Sequence, residues 1–256
     1  MSRRLGSLGR RALVPFLLLL AWQLLASGGA IDERLFSSPA HTAHALWMLT
    51  TNGTLASNVL VSLRRSAIGL LLGVSTAVAL ATVSGLWRLG EELVDSTIQM
   101  VRTVPVFALT SVFVVWFGLG ELSKELLIAM ACFFPVYLNV HGGIRNVDRR
   151  LVEMAVAMGK GRRQIIRHVV LPGAMPQTLV GLRYSLSISV LALVVAETLN
   201  TTSGLGYLMA NAQQYLDTDV IFACVVVYCL MGITADLVVR VLEWRTLAWR
   251  TGVGNR

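Results

Sequence analysis

The chain has 256 residues, 55% of them hydrophobic and 14% charged, with a formal net charge of +8. A water-soluble domain of this length needs more charge to cover its surface, so these figures leave a helical membrane protein as the class. The basic excess reports membrane topology rather than nucleic-acid binding.

Apolar runs of about twenty residues are long enough to cross a bilayer core as helices. They place about six spans at roughly 12–30, 59–84, 103–119, 125–142, 173–196 and 219–241. No run has the period-two alternation of a membrane barrel. The expectation is an all-α membrane protein, with residues 1–256 forming one transmembrane domain. Cys132, Cys224 and Cys229 lie in apolar runs without a Cys-x-x-Cys, and they read as small core residues.

The first run follows Arg3, Arg4, Arg10 and Arg11 and resembles a signal peptide. No clear small-x-small cleavage site precedes a soluble domain, and further spans follow, so it reads as a retained helix with its amino end in the cytoplasm. The segment 31–57 is an outer connection, with Pro39 and Asn52-Gly53 as turn signals. Arg64 and Arg65 at the mouth of the second span are an awkward pair, expected to snorkel or to face a wet cavity. That span carries Gly69, Gly73, Ala77, Ala81 and Gly85 on one helical face. Small residues let helices approach closely, so the stripe predicts a packed neighbour.

The connections alternate in charge. One set holds Arg88, Arg102, Arg145, Arg149, Arg150, Lys160, Arg162, Arg163, Arg167, Arg240, Arg245, Arg250 and Arg256; the other holds Arg34 and Lys124 with the awkward pair. The positive-inside rule puts the first set and both termini in the cytoplasm. Pro135 interrupts the fourth span and predicts a kink or a freed carbonyl.

The connection 145–172 is too long to lack structure of its own. Asp148 can cap a helix, Leu151, Ala155 and Met158 share one face, and Gly159 supplies a stop. Gly161 adds a turn, and a second short helix carries Ile165, Ile166, Val169 and Val170 up to Pro172, which ends it. Two readings fit this hairpin: a basic amphipathic element resting on anionic lipid, or a docking surface for a soluble partner.

In the fifth span, Arg183 with Ser187 nearby marks a candidate translocation path that attracts an anion; pairing with a neighbouring helix is the competing reading. Glu197 lies too far along the same helix to pair with Arg183. The outer loop 197–218 contains Leu205, Leu208 and Met209, which fit a short helix in the outer interface. Asp236 sits one turn from Arg240 and can balance it. No catalytic constellation appears, and the lone His141 and His168 lack partners at metal-ligand spacing.

Glu153-x-Ala155-x-x-x-Gly159, then nine residues, then Val169-x-Leu171-Pro172, resembles the EAA loop of permease subunits of binding-protein-dependent ABC importers. The resemblance covers about residues 56–245. Arg102-Thr-Val-Pro105, Trp116-Phe-Gly118, Phe134-Pro135-Val-Tyr137, Leu171-Pro-Gly-Ala174, Val195-Ala-Glu197-Thr and Gly204-x-Gly206-Tyr207 are similar to its sulfonate, taurine and nitrate branch, with aliphatic sulfonate permeases nearest. Met154 replaces the middle alanine of the loop and Val169 a usual isoleucine.

The resemblance implies a type I importer permease fold (MetI-like) in a bacterial inner membrane. It implies a second, identical permease chain, two cytoplasmic ATP-binding subunits and an extracytoplasmic substrate-binding protein. It also implies that Glu153, Ala155, Gly159, Ile165, Leu171 and Pro172 couple the chain to the ATPase. ATP and Mg would be bound by that partner and no cofactor by this chain, which has no Gly-x-x-x-x-Gly-Lys-Ser/Thr. The implied cargo is an oxyanion, aliphatic sulfonates first, with taurine, nitrate or a thiamine precursor as alternatives. A self-contained secondary carrier or channel is the reading from a different class; it needs paired intramembrane ions or inverted repeats.

Overall fold

The computed structural model describes residues 2–28, 35–198 and 201–246, without the side chains of 2–12 and 15. The predicted topology markers Arg34, Arg250 and Arg256, and the side chains of Arg3, Arg4, Arg10 and Arg11, lie outside the described residues. Among those residues every regular element is a helix.

In chain order these are α1 (Ser2–Ser27), α2 (Pro39–Thr51) and α3 (Thr54–Leu86), then α4 (Arg88–Val101), α5 (Val106–Phe117) and α6 (Glu121–Arg145). After them come α7 (Arg149–Ala157), α8 (Arg162–Thr198), α9 (Leu205–Gln214) and α10 (Thr218–Thr246). They fall into two compact units, Met1–Val61 with Thr201–Tyr228 and Ser62–Asn200 with Cys229–Arg256.

Among the described residues four helices, α3, α6, α8 and α10, are long and apolar enough to cross a membrane. The span expected at 103–119 is not one straight helix. It belongs to the pair α4 and α5, bent by 80°. Pro105 explains the break: it donates no hydrogen bond and biases Val104 away from helical geometry. Of the span expected at 12–30, the apolar part within the description is the shorter Phe16–Ser27.

In the first unit, Pro39 opens α2 instead of a turn. Ser38 caps that helix by accepting the His41 amide at 3.2 Å, and proline is well suited to a first helical turn. Trp22 and Phe36 both pack on Phe222, at 5.5 Å and 6.1 Å between ring centroids. The outer-loop helix forms as α9, but Leu205 and Leu208 are buried rather than spread on an interface. The Gly204 amide before it donates to Asn58 Oδ1 at 2.8 Å, fixing the loop to α3 within the unit.

In the second unit the small-residue stripe of α3 meets α6. A Cβ added to Gly69 would lie 2.6 Å from Ile128 Cβ, and one on Gly73 would collide with the Ala129 carbonyl. Ala77 and Ala81 continue the seam into a core with Val136, Tyr137 and Ala174. Pro135 is carried inside one continuous α6, where its own carbonyl accepts Asn139 Nδ2 at 2.8 Å. Cys132 and Cys224 are core residues as expected, whereas Cys229 is exposed: it lies on a face of α10 that the chain leaves uncovered.

Alanine normally improves a helix over glycine by about 1 kcal/mol, whereas forced overpacking costs about 1–3 kcal/mol. Gly73→Ala is therefore expected to lower the thermal unfolding midpoint in detergent. Gly232→Ala, with nothing within 4 Å of the new Cβ, is expected to raise or preserve it.

Candidate functional site

The connection 145–172 folds as a helical hairpin. Asp148 Oδ1 accepts the Arg150 amide at 2.9 Å and starts α7. The helix closes with a Schellman pattern: the Lys160 amide donates to Ala155 O at 3.0 Å, and the Gly159 amide to Val156 O at 2.9 Å. Gly159 has φ +74°, and a Cβ there would touch nothing within 4 Å. Its glycine is thus required by backbone conformation, not by space. Gly161 sits in an extended conformation and precedes the first turn of α8.

Pro172 does not end the second arm, because the arm and the following span are one helix, α8. The reason is the π-turn over Ile166–Val170, where the Leu171 amide reaches back to Ile166 O. The wider turn relieves the clash that proline would make with the carbonyl four residues earlier.

Leu151, Met154 and Ala155 of α7, with Met158 just past its end, face His168, Val169 and Pro172 of α8 across an open groove of about 340 Å³. Ala155 is buried at its floor, while Met154 and Met158 are 53% and 72% exposed. Ile165 is half-buried, Leu171 is exposed and Pro172 half-buried. Glu153 is exposed and makes no ion pair with a described residue. Apolar side chains standing open beside a sharp turn can dock into a groove of another protein.

Arg183 Nη2 bonds Glu243 Oε2 at 2.6 Å, and its Nε lies 3.6 Å from Asp236 Oδ1. Asp236 also holds Arg240 at 2.7 Å, the pairing expected one turn apart. Ser187 is exposed and donates to the Arg183 carbonyl at 3.3 Å. Arg183 therefore sits in a charge cluster on α8 and α10.

The awkward pair separates. Arg64 is exposed, while Arg65 is 1% exposed and neither snorkels nor faces a wet cavity. Its Nη1 bonds Glu197 Oε1 at 2.7 Å; its Nε and Nη2 bond the two oxygens of Glu121 at 2.6 and 2.7 Å. Ser62 Oγ lies 2.7 and 2.8 Å from the Glu197 oxygens, and Lys124 Nζ donates to Glu121 at 3.2 Å. Arg65, Lys124 and Glu197 stand out in the sequence as single charges, but Glu121 and the cluster do not. The one available signal was an arginine on the same buried face as Gly69 and Gly73.

A second missed cluster joins α3, α4 and α6. Tyr137 Oη lies 2.9 Å from Ser84 Oγ and 3.1 Å from Asp95 Oδ1, and its ring stacks on His141. Nearby, Arg145 bonds Glu91 at 2.6 Å.

Residues 69–247 match the family described as the binding-protein-dependent transport system inner membrane component. The chain belongs to that family: it is the multi-pass membrane permease subunit of an ABC importer, and nucleotide is handled by a separate ATPase subunit. It is 41% identical over 236 residues to SsuC of Escherichia coli (strain K12), described as an aliphatic sulfonates transport permease protein; the match covers 92% of this chain and 90% of that one. SsuC of Bacillus subtilis (strain 168) is 37% identical, covering 93% and 86%. The taurine transport system permease protein TauC of Escherichia coli is 31% identical, covering 91% and 86%.

Among solved structures, an amino acid ABC transporter crystallised with histidines superposes with a TM-score of 0.64 at 17% identity, over 78% of this chain and 97% of that one. The inward-facing MetNI methionine transporter gives 0.57 at 18% identity, over 70% and 92%. Both establish the type I permease fold expected from the sequence.

Removing one member of a buried ion pair costs about 3–5 kcal/mol, because the other charge stays buried. Glu197→Ala is expected to lower the thermal midpoint in detergent far more than Arg64→Ala, whose side chain is exposed.

Proposed function

We propose that this chain forms the membrane path of an importer for aliphatic sulfonates. Two identical copies, each a single permease domain over residues 1–256, pair with two cytoplasmic ATP-binding subunits. A substrate-binding protein delivers cargo from the outside. Both termini and the 145–172 hairpin face the cytoplasm, a reading supported by the basic residues gathered on that set of connections. ATP and Mg are bound by the partner.

The observation that carries the reading is the open apolar hairpin. Met154 and Met158 stand exposed on a helix whose turn is fixed by Gly159. Such a knob suits a groove on the ATPase. Glu153 supplies a rim charge, and Ala155 keeps the floor shallow so the arms stay close. Gly159 presents the turn. Ile165, Leu171 and Pro172 join the second arm to the span. Nucleotide has different affinity for the two ATPase arrangements, so it shifts the permease between inward- and outward-open forms through this contact. Arg183 and Ser187 line the inner part of the path, with Glu243 and Asp236 balancing the arginine when no anion is near.

The sulfonate assignment is supported by the two relatives described as sulfonate permeases, at 41% and 37% identity. Taurine is the second reading, supported by the relative at 31%.

Cells carrying the chain are expected to grow on an alkanesulfonate as sole sulfur source, and cells lacking it are not; growth of both would refute the assignment. Met154→Glu is expected to abolish co-purification of the P-loop ATPase while the chain remains inserted. Gly159→Val, which strains a left-handed position by about 1–3 kcal/mol, is expected to reduce uptake sharply, and Gly161→Ala to leave it unchanged. Uptake at wild-type rate in Gly159→Val counts against the coupling role.

A further inference from the structure

The Arg65 cluster has two unequal halves. Glu197 is fully buried and fixed by Arg65 and Ser62, with side-chain exposures of 2% and 0% across the Arg65–Glu197 pair. Glu121 holds the other edge of the same guanidinium, yet its side chain is 44% exposed. The Glu121 contact is the planar two-bond fork that arginine makes with any oxyanion presenting two oxygens. A carboxylate of the chain itself occupies an arginine edge that a sulfonate headgroup would fit.

We propose that the Nε–Nη2 edge of Arg65 is an oxyanion site on the transport path and that Glu121 is its built-in occupant, displaced by the substrate sulfonate. The inference rests on the sulfonate reading above. Three observations make the exchange feasible. Glu121 is the first residue of α6 and follows Gly118 and Gly120, both with nothing within 4 Å of a would-be Cβ, so neighbouring side chains do not confine this turn. Lys124, one turn on, already shares Glu121 and can retain it when Arg65 lets go. The departing carboxylate has solvent to enter.

Charge counting then predicts selectivity. Arg65 and Lys124 are balanced by Glu121 and Glu197. With Glu121 retained by Lys124, a monoanion in its place leaves Arg65 facing two single negative charges, as before. A dianion such as sulfate adds a charge with no partner, which a low-dielectric setting penalises strongly. The site therefore favours sulfonates over inorganic sulfate.

The test uses the permease assembled with its ATPase in lipid nanodiscs, without the binding protein, and radiolabelled ethanesulfonate and sulfate as probes. Glu121→Gln keeps the size of the side chain but removes the competing charge. It is expected to bind ethanesulfonate about tenfold more tightly than wild type, the scale of one lost charge-assisted competitor, and wild type is expected to bind sulfate more weakly than ethanesulfonate. Adding Arg65→Lys, which keeps the charge but loses the fork, is expected to abolish that gain. Equal affinity of Glu121→Gln and wild type overturns the proposal, whether or not the arginine variant assembles. Proteoliposome uptake with the binding protein separates the two claims. Ethanesulfonate uptake by wild type with no affinity change in Glu121→Gln removes this inference alone. No uptake by wild type removes the sulfonate reading and this site with it.

Discussion

Arg65 is tolerable inside this protein because two carboxylates from distant parts of the chain meet it. A charge taken out of water costs several kcal/mol unless its geometry is close and its hydrogen bonds are made. Glu121 starts α6, Glu197 lies near the end of α8, and Arg65 lies on the buried face of α3. The three helices must therefore hold one mutual arrangement for the charge to be neutralised. The glycine seam serves the same end, because Gly69 and Gly73, one and two turns from Arg65, let α3 approach α6 closely. Close approach and charge neutralisation are two requirements met by one helix face.

The parts of this arrangement that a reader of the sequence can find are the local ones. The cap at Asp148, the stop at Gly159 and the small-residue stripe each depend on residues within a turn or two. Each is found where periodicity and capping rules put it. The spans in α3, α6, α8 and α10 were legible for the same reason: about twenty apolar residues suffice.

What escaped was non-local or depended on competing backbone geometries. Arg65 and Glu197 are 132 residues apart, and no single-sequence rule pairs them. Asp95 meets Tyr137 across 42 residues, which is equally silent. Pro172 was misread because a proline that ends a helix and one that follows a π-turn look alike in sequence. Pro105 shows the opposite error, since an apolar run passes over it while the backbone does not. Leu205 and Leu208 carry an amphipathic pattern that fits an interface as well as a protein core, and packing within the first unit decides for the core.

The unbroken course of α8 has a mechanical meaning. From Arg162 in the hairpin to Glu197 beside Arg65 the backbone is one helix, spanning about 52 Å at 1.5 Å per residue. A displacement of its hairpin end needs no flexible joint to arrive at Glu197. The widened turn at Ile166–Val170 and the ring at Pro176 interrupt its regular hydrogen bonding, both nearer the hairpin end. Such a shaft is more compliant near the hairpin and stiffer along the remainder, so one continuous backbone joins the hairpin to the Glu197–Arg65 contact.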